Sequence, residues 1–128
     1  MPRFITIAEA ITIHDDQITR FGGSPGIRDV GLLESAIAQP EATFFGELLH
    51  PTIASQAAAY LFHISRNHAF LDGNKRTALA VADTFLLVNG YSLVLSDEAL
   101  YDLVQNVAQG LMDKDTATGL IADNLVEE

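Results

Sequence analysis

The chain has 128 residues, enough for one domain with a real hydrophobic core and too few for two. Hydrophobic residues make up 48%, yet no apolar run approaches the ~20 residues a membrane-spanning helix needs, and MPRFITIAEAIT lacks a secretory pattern, so a cytoplasmic protein without membrane association is expected. A net charge of −10 excludes a sequence-independent DNA or RNA binder, because phosphate neutralisation supplies most of that affinity, and the lack of cysteine excludes disulfides, thiolate nucleophiles and Cys-based zinc sites.

Thr6-x-x-Glu9 is a capping box, and Ile7, Ile11, His14, Ile18 and Phe21 recur at helical spacing, which predicts a first helix over about 7–20, ended by GGSPG. Asp29 caps a short second helix through Leu32, Leu33, Ala36 and Ile37, which stops near Pro40 because the residue before proline disfavours the helical region. EATFFGELLH at 41–50 holds aromatics and a glycine between two prolines and reads as an irregular loop or small hairpin, a candidate flap. Pro51 suits the first turn of a third helix, whose apolar positions Ile53, Ala57, Tyr60, Leu61 and Ile64 carry it to about Arg66. A fourth runs from about Asn74 to Val88, with Asn89-Gly90 as its stop. YSLVLS at 91–96 alternates weakly and reads as extended; Ser96 caps a helix to about Gln109, and a last helix covers Asp115 to Val126. With about six helical segments and no convincing pair of strands, the expected class is all-α, a single domain across 1–128.

Of only seven Lys and Arg residues, three (Arg66, Lys75, Arg76) fall within eleven residues of an otherwise acidic chain. Lys75 and Arg76 fall inside, and Arg66 just before, HAFLDGNKRTA at 68–78, a loop between two long helices that runs into a helix start. The first-turn N–H groups and the positive end of the helix dipole favour phosphate there, and Gly73 lets the backbone approach it. Lys75 and Arg76 add charge-assisted hydrogen bonds, and Asp72 has the oxygen chemistry that a nucleotide's Mg²⁺ prefers. His68, four residues before Asp72, is placed to accept a proton from a hydroxyl nucleophile, since a histidine ordinarily titrates near ~6.5. The residues alone therefore imply an anion-binding loop with a base.

HAFLDGNKRTA resembles the signature of the Fic/Doc family, HPFxxGNGRxxR, and ITRFGGSPGIRDVGLLESA and FLLVNGY are similar to its death-on-curing toxin branch. The likeness covers essentially the whole chain and implies a Fic/Doc-type helical bundle with a short flap. Where AMP-transferring members have a second glycine this chain has Lys75, and where they have a final arginine it has Leu79. In the death-on-curing branch the lysine goes with reversed nucleotide binding and transfer of the γ-phosphate. The resemblance thus implies a toxin of a toxin–antitoxin pair: an ATP- and Mg²⁺-dependent protein kinase that phosphorylates a threonine of elongation factor Tu, halts translation and is restrained by a Phd-like antitoxin. It makes His68 the base, Asp72 the Mg²⁺ ligand, and Asn74, Lys75 and Arg76 phosphate contacts beside Gly73, with Arg66 and Arg20 matching two further arginines. Ala80 departs from the branch, where a polar asparagine stands.

Plainer readings stand beside these. His68 alone is a loop histidine with a structural hydrogen bond, Asp72 and Asn74 are capping residues, and the adjacent Lys75 and Arg76 diverge on a helix. Arg20 and Arg66 sit at helix C-termini, where a cation complements the dipole. His14 and His63 read as packing or buried hydrogen-bonding residues, GIRD as a turn and cap, and His50 is open. Rival functions are an AMP-transferase of the same fold, a catalytically inactive binding module, and a metal hydrolase on His63, His68 and Asp72, disfavoured because HExxH is absent.

Overall fold

Short polar side chains set the helix starts in the computed structural model, which describes residues Met1–Glu128. The Thr6 hydroxyl accepts from the Glu9 N–H while the Glu9 carboxylate accepts from the Thr6 N–H, and α1 (Ile7–Phe21) follows from that reciprocal cap, ending at Gly22. Asp29 accepts from the Leu32 N–H to open α2 (Val30–Ala38), which passes into a 3₁₀ turn over Gln39–Glu41 with Pro40 buried. Two-residue strands β1 (Thr43–Phe44) and β2 (Glu47–Leu48) then form an antiparallel hairpin, the expected flap. Its loop residues Phe45 and Gly46 both have positive φ, 51° and 80°, as a type I′ turn requires.

Helix α3 (Ile53–Asn67) does not begin on Pro51, as the sequence suggests. Thr52 caps it, exchanging hydrogen bonds with Ser55, and the proline stands one residue outside the cap. Helix α4 (Asn74–Val88) starts at Gly73, and β3 (Tyr91–Leu93) leads to α5 (Asp97–Ala108), capped by Ser96. Asp113 caps α6 (Lys114–Asp123), which stops three residues short of the expected Val126. Leu125–Glu127 instead forms β4, pairing antiparallel with β3 in the register Tyr91↔Glu127, Ser92↔Val126, Leu93↔Leu125. Pairing fixes Leu125 and Leu93 against the core, which a further helical turn would not do. The chain is therefore all-α in class, with six helices and two minimal sheets rather than none.

The core forms around α3, which touches α2, α4, α5 and α6. Its buried Ala54, Ala57, Ala58 and Ala59 let neighbours approach closely, and Leu33, Leu61, Ile64, Phe85, Leu86, Leu103 and Ile121 fill the space between helices. Each such large side chain contributes roughly 1.5–3 kcal/mol on burial. Tyr60 is fully buried, and its hydroxyl accepts the Ile5 N–H at 2.8 Å; burial pushes the phenol pKa up to about 12. No helix is long and apolar enough to cross a membrane.

Candidate active site

Helix α3 ends because His68 takes the left-handed conformation, φ 52° and ψ 44°, turning the chain into the loop at 69–73. Ala69 and Phe70 are buried and hold that loop to the body. Asn74 clamps it from the following helix: its Oδ1 accepts the Phe70 N–H and its Nδ2 donates to the Phe70 carbonyl, each at 3.0 Å. From the other side, the Arg28 and Asp29 N–H groups donate to the Ala69 carbonyl at 2.8 and 3.0 Å, and the Leu71 N–H donates to the Gly26 carbonyl at 3.1 Å. The Arg28 side chain donates from Nε to the His68 carbonyl at 2.7 Å. His14, wholly buried, donates from Nε2 to the Asp72 carbonyl at 2.8 Å and stacks on Phe70 with ring centroids 3.8 Å apart. GIRD and His14 thus have the structural roles their sequence context suggests, and the structure they hold is the loop carrying His68 and Asp72.

The Asp72 carboxylate is exposed, with Oδ2 accepting the Ser24 N–H at 3.1 Å and Oδ1 the Gly73 N–H at 2.8 Å. Those two backbone hydrogen bonds, with smaller help from Arg76 and His14, hold its pKa below the ordinary aspartate value, so it is ionised at neutral pH. A carboxylate offers about four lone-pair sites, so accepting capacity remains on both oxygens. Gly73 is the N-cap of α4 at φ 74°, with no side-chain cap. The positive φ calls for glycine, and a Cβ there would also press on Ile18 Cδ1 at 3.1 Å.

His68, Leu71, Asp72, Gly73, Asn74, Lys75 and Arg76 line one cavity of about 350 Å³. Six of the eight residues singled out by sequence are gathered there: a histidine, a carboxylate, a glycine at an uncapped helix start, an asparagine and two cations. The Asn74 amide is engaged at both ends with Phe70, so its fixed role is to hold the loop. Arg20 and Arg66 do not line this cavity. Arg20 pairs with Asp16 along α1 at 3.0 Å, and the Arg66 guanidinium lies 4.8 Å from the Phe62 ring centroid. His63 is also elsewhere: Lys114 Nζ donates to the Nε2 atoms of His63 and His50, each at 3.1 Å, which separates His63 from the His68 cavity. No three His, Asp or Glu side chains gather in a metal-binding cluster, as the hydrolase reading would need.

Lys75 and Arg76 also line a larger groove of about 770 Å³ between α1, α4 and α5, where Phe21, Leu79, Ala80, Leu93, Leu100 and Val104 meet Asp83 and Asp97. Arg76 Nη2 donates to the Gly22 carbonyl at 2.9 Å, and Lys75 Nζ donates to Gln105 Oε1 at 2.7 Å. Gln105 is the site neighbour that the sequence analysis missed. It stands 30 positions after Lys75 on another helix, and its spacing from Tyr101 on α5 was the only local signal.

Residues 4–86, well over half the chain, match the family model described as the Fic/DOC family. Over 104 residues, 80% of this chain and 80% of the relative, the sequence is 43% identical to "Toxin Doc" of Mycolicibacterium smegmatis. Over 123 residues, 96% of this chain and 93% of the relative, it is 37% identical to "Protein kinase doc" of Escherichia phage P1. The cavity at the start of α4 lies within the matched span, and the chain belongs to the Fic/DOC family, on its Doc branch.

Proposed function

We propose that this chain is a Doc-type toxin that transfers the γ-phosphate of ATP to a threonine hydroxyl of elongation factor Tu and so inhibits translation. The observation that carries the reading is the convergence of His68, Asp72, Lys75 and Arg76 on one cavity at the uncapped start of α4. His68 takes the hydroxyl proton as the oxygen attacks the γ-phosphorus; the bond from that phosphorus to the β,γ-bridging oxygen breaks, and ADP leaves. Lys75, Arg76 and the first-turn N–H groups of α4 receive the phosphate charge. Asp72 fits a Mg²⁺ site of the kind nucleotides use, one carboxylate completed by phosphates and waters, and the ion would neutralise charge developing on the phosphate oxygens. The exposed rims of the flap, Phe44 and Phe45, suit contact with a protein substrate.

Phosphate transfer rather than AMP transfer is supported by Leu79, which lines the apolar groove where AMP-transferring members have an arginine. The protein kinase named among the relatives points the same way. The groove suits the amphipathic helix of a Phd-like antitoxin, its apolar face on Leu79, Leu93, Leu100 and Val104 and its cations near Asp83 and Asp97. Co-purification with the product of a neighbouring antitoxin gene tests this, and undiminished toxicity in its presence refutes it.

Incubation with elongation factor Tu and ATP labelled at either the α- or the γ-phosphate decides the reaction. Label on the factor from γ-labelled ATP alone is expected. Transfer from the α-label instead makes the protein an AMP-transferase, and growth arrest by a His68→Ala variant as complete as that by the parent makes it a binding module.

A further inference from the structure

Lys75 is one of two cations shared by the His68 cavity and the groove, and its ammonium is held by a neutral partner. Gln105 Oε1 accepts from Lys75 Nζ at 2.7 Å, and Gln105 Nε2 donates to the Tyr101 hydroxyl oxygen at 2.6 Å. Tyr101 and Gln105 are four residues apart on one face of α5, so the tyrosine fixes which end of the carboxamide meets the lysine. The chain holds 17 Asp and Glu residues, yet Lys75 forms an ion pair with none of them.

We propose that Gln105, oriented by Tyr101, is the positioning residue for Lys75: it holds the ammonium at the mouth of the phosphate cavity without cancelling its charge. This rests on the reading of that cavity as a nucleotide site. The physical case has two parts. An ammonium has three donors, and one spent on Gln105 leaves two for phosphate oxygens. A lysine side chain carries about 2 kcal/mol of rotamer entropy, and a tether in the free protein removes part of the ordering cost that binding would otherwise bear. A carboxylate in place of Gln105 would give the same tether but pair with the charge that the anion needs. A neutral amide supplies geometry alone.

Calorimetric titration of the full chain with ATP in the presence of Mg²⁺ tests the proposal. Gln105→Met, which keeps the volume and removes the acceptor, is expected to weaken ATP binding about 5- to 10-fold, the size of one hydrogen bond's net worth. Gln105→Glu is expected to weaken it by at least as much, and Tyr101→Phe by about 2- to 3-fold. The Tm of each variant should match the parent's, because these bonds are exposed. In a Lys75→Met background, Gln105→Met should cost nothing further, whereas a merely structural role would give the same loss in both backgrounds. In the transfer assay the loss should appear in KM for ATP rather than in kcat. Unchanged ATP affinity in Gln105→Met, or an equal loss without Lys75, overturns the proposal and leaves the nucleotide reading intact. A parent chain that binds no ATP overturns both.

Discussion

Replacing Asn74 with alanine removes both ends of the clamp on Phe70. Phe70 is 1% exposed, so neither its N–H nor its carbonyl gains water when the amide is lost. Two hydrogen bonds of about 1 kcal/mol each disappear, and the stranded N–H adds roughly 1–3 kcal/mol of uncompensated desolvation, for a total of about 3–5 kcal/mol. That is a large share of the roughly 5–15 kcal/mol by which a domain of this size is stable, and corresponds to a Tm lowered by about 10–20 °C. Urea unfolding followed by far-UV circular dichroism should show the midpoint falling with the slope unchanged. Asn74→Asp keeps an acceptor for the Phe70 N–H but sets an acceptor-only carboxylate oxygen against the Phe70 carbonyl, so at neutral pH it should also be less stable than the parent. If Asn74→Ala unfolds within about 0.5 kcal/mol of the parent, and the Phe70 amide exchanges with deuterium no faster, the clamp carries no energy and the account of the loop is wrong.

Tyr60→Phe strands the Ile5 N–H, which is buried, and should cost about 1–3 kcal/mol in the same unfolding assay; a loss below about 0.5 kcal/mol refutes the bond's importance. Burial first, and the Lys114 charge second, lower the pKa of both His50 and His63, the latter to about 4. The unfolded chain therefore binds more protons than the folded one below the ordinary value of 6.5, so this stability is present above that pH and is lost as pH falls toward about 4. Urea midpoints at pH 7.5, 6 and 5 should decline, and less steeply in His63→Gln; a flat profile in the parent contradicts the reasoning. Partial desolvation by its neighbours raises the pKa of Asp83, which is still solvent-exposed, the opposite case: its contribution is complete below the ordinary aspartate value and lost as pH rises through the folded value. Asp83→Asn should stabilise the free protein at pH 7 by less than about 1 kcal/mol, given partial solvent screening, with the gain vanishing near pH 3; destabilisation at pH 7 would show an unrecognised partner.

Local chemistry was legible in the sequence, and long-range pairing was not. Thr6, Asp29 and Ser96 announce helix starts because a cap acts within three residues, and the structure starts helices there. Likewise, HAFLDGNKRTA displays its cavity because all seven lining residues share one loop and one helix turn. Pro51 misled by two residues because Thr52 is the cap and the helix starts at Ile53. The strand at Leu125–Glu127 was invisible because its partner lies more than 30 residues upstream, and a short apolar tail fits helix or strand equally. The Gln105 tether had no signature for the same reason, its partner standing 30 residues away on another helix, whereas the Asn74 clamp reaches only four residues back and was masked by the equally local reading of Asn74 as a cap.

The left-handed turn at His68 sets stability against activity at one residue. A non-glycine residue in that conformation costs roughly 1–2 kcal/mol, and the helix end would be easier to form with glycine. The protein keeps a less favourable terminator because the same residue is the proposed base. His68→Gly should therefore yield an inert protein that resists urea better than its parent, and a library screened for stability alone would drift toward it.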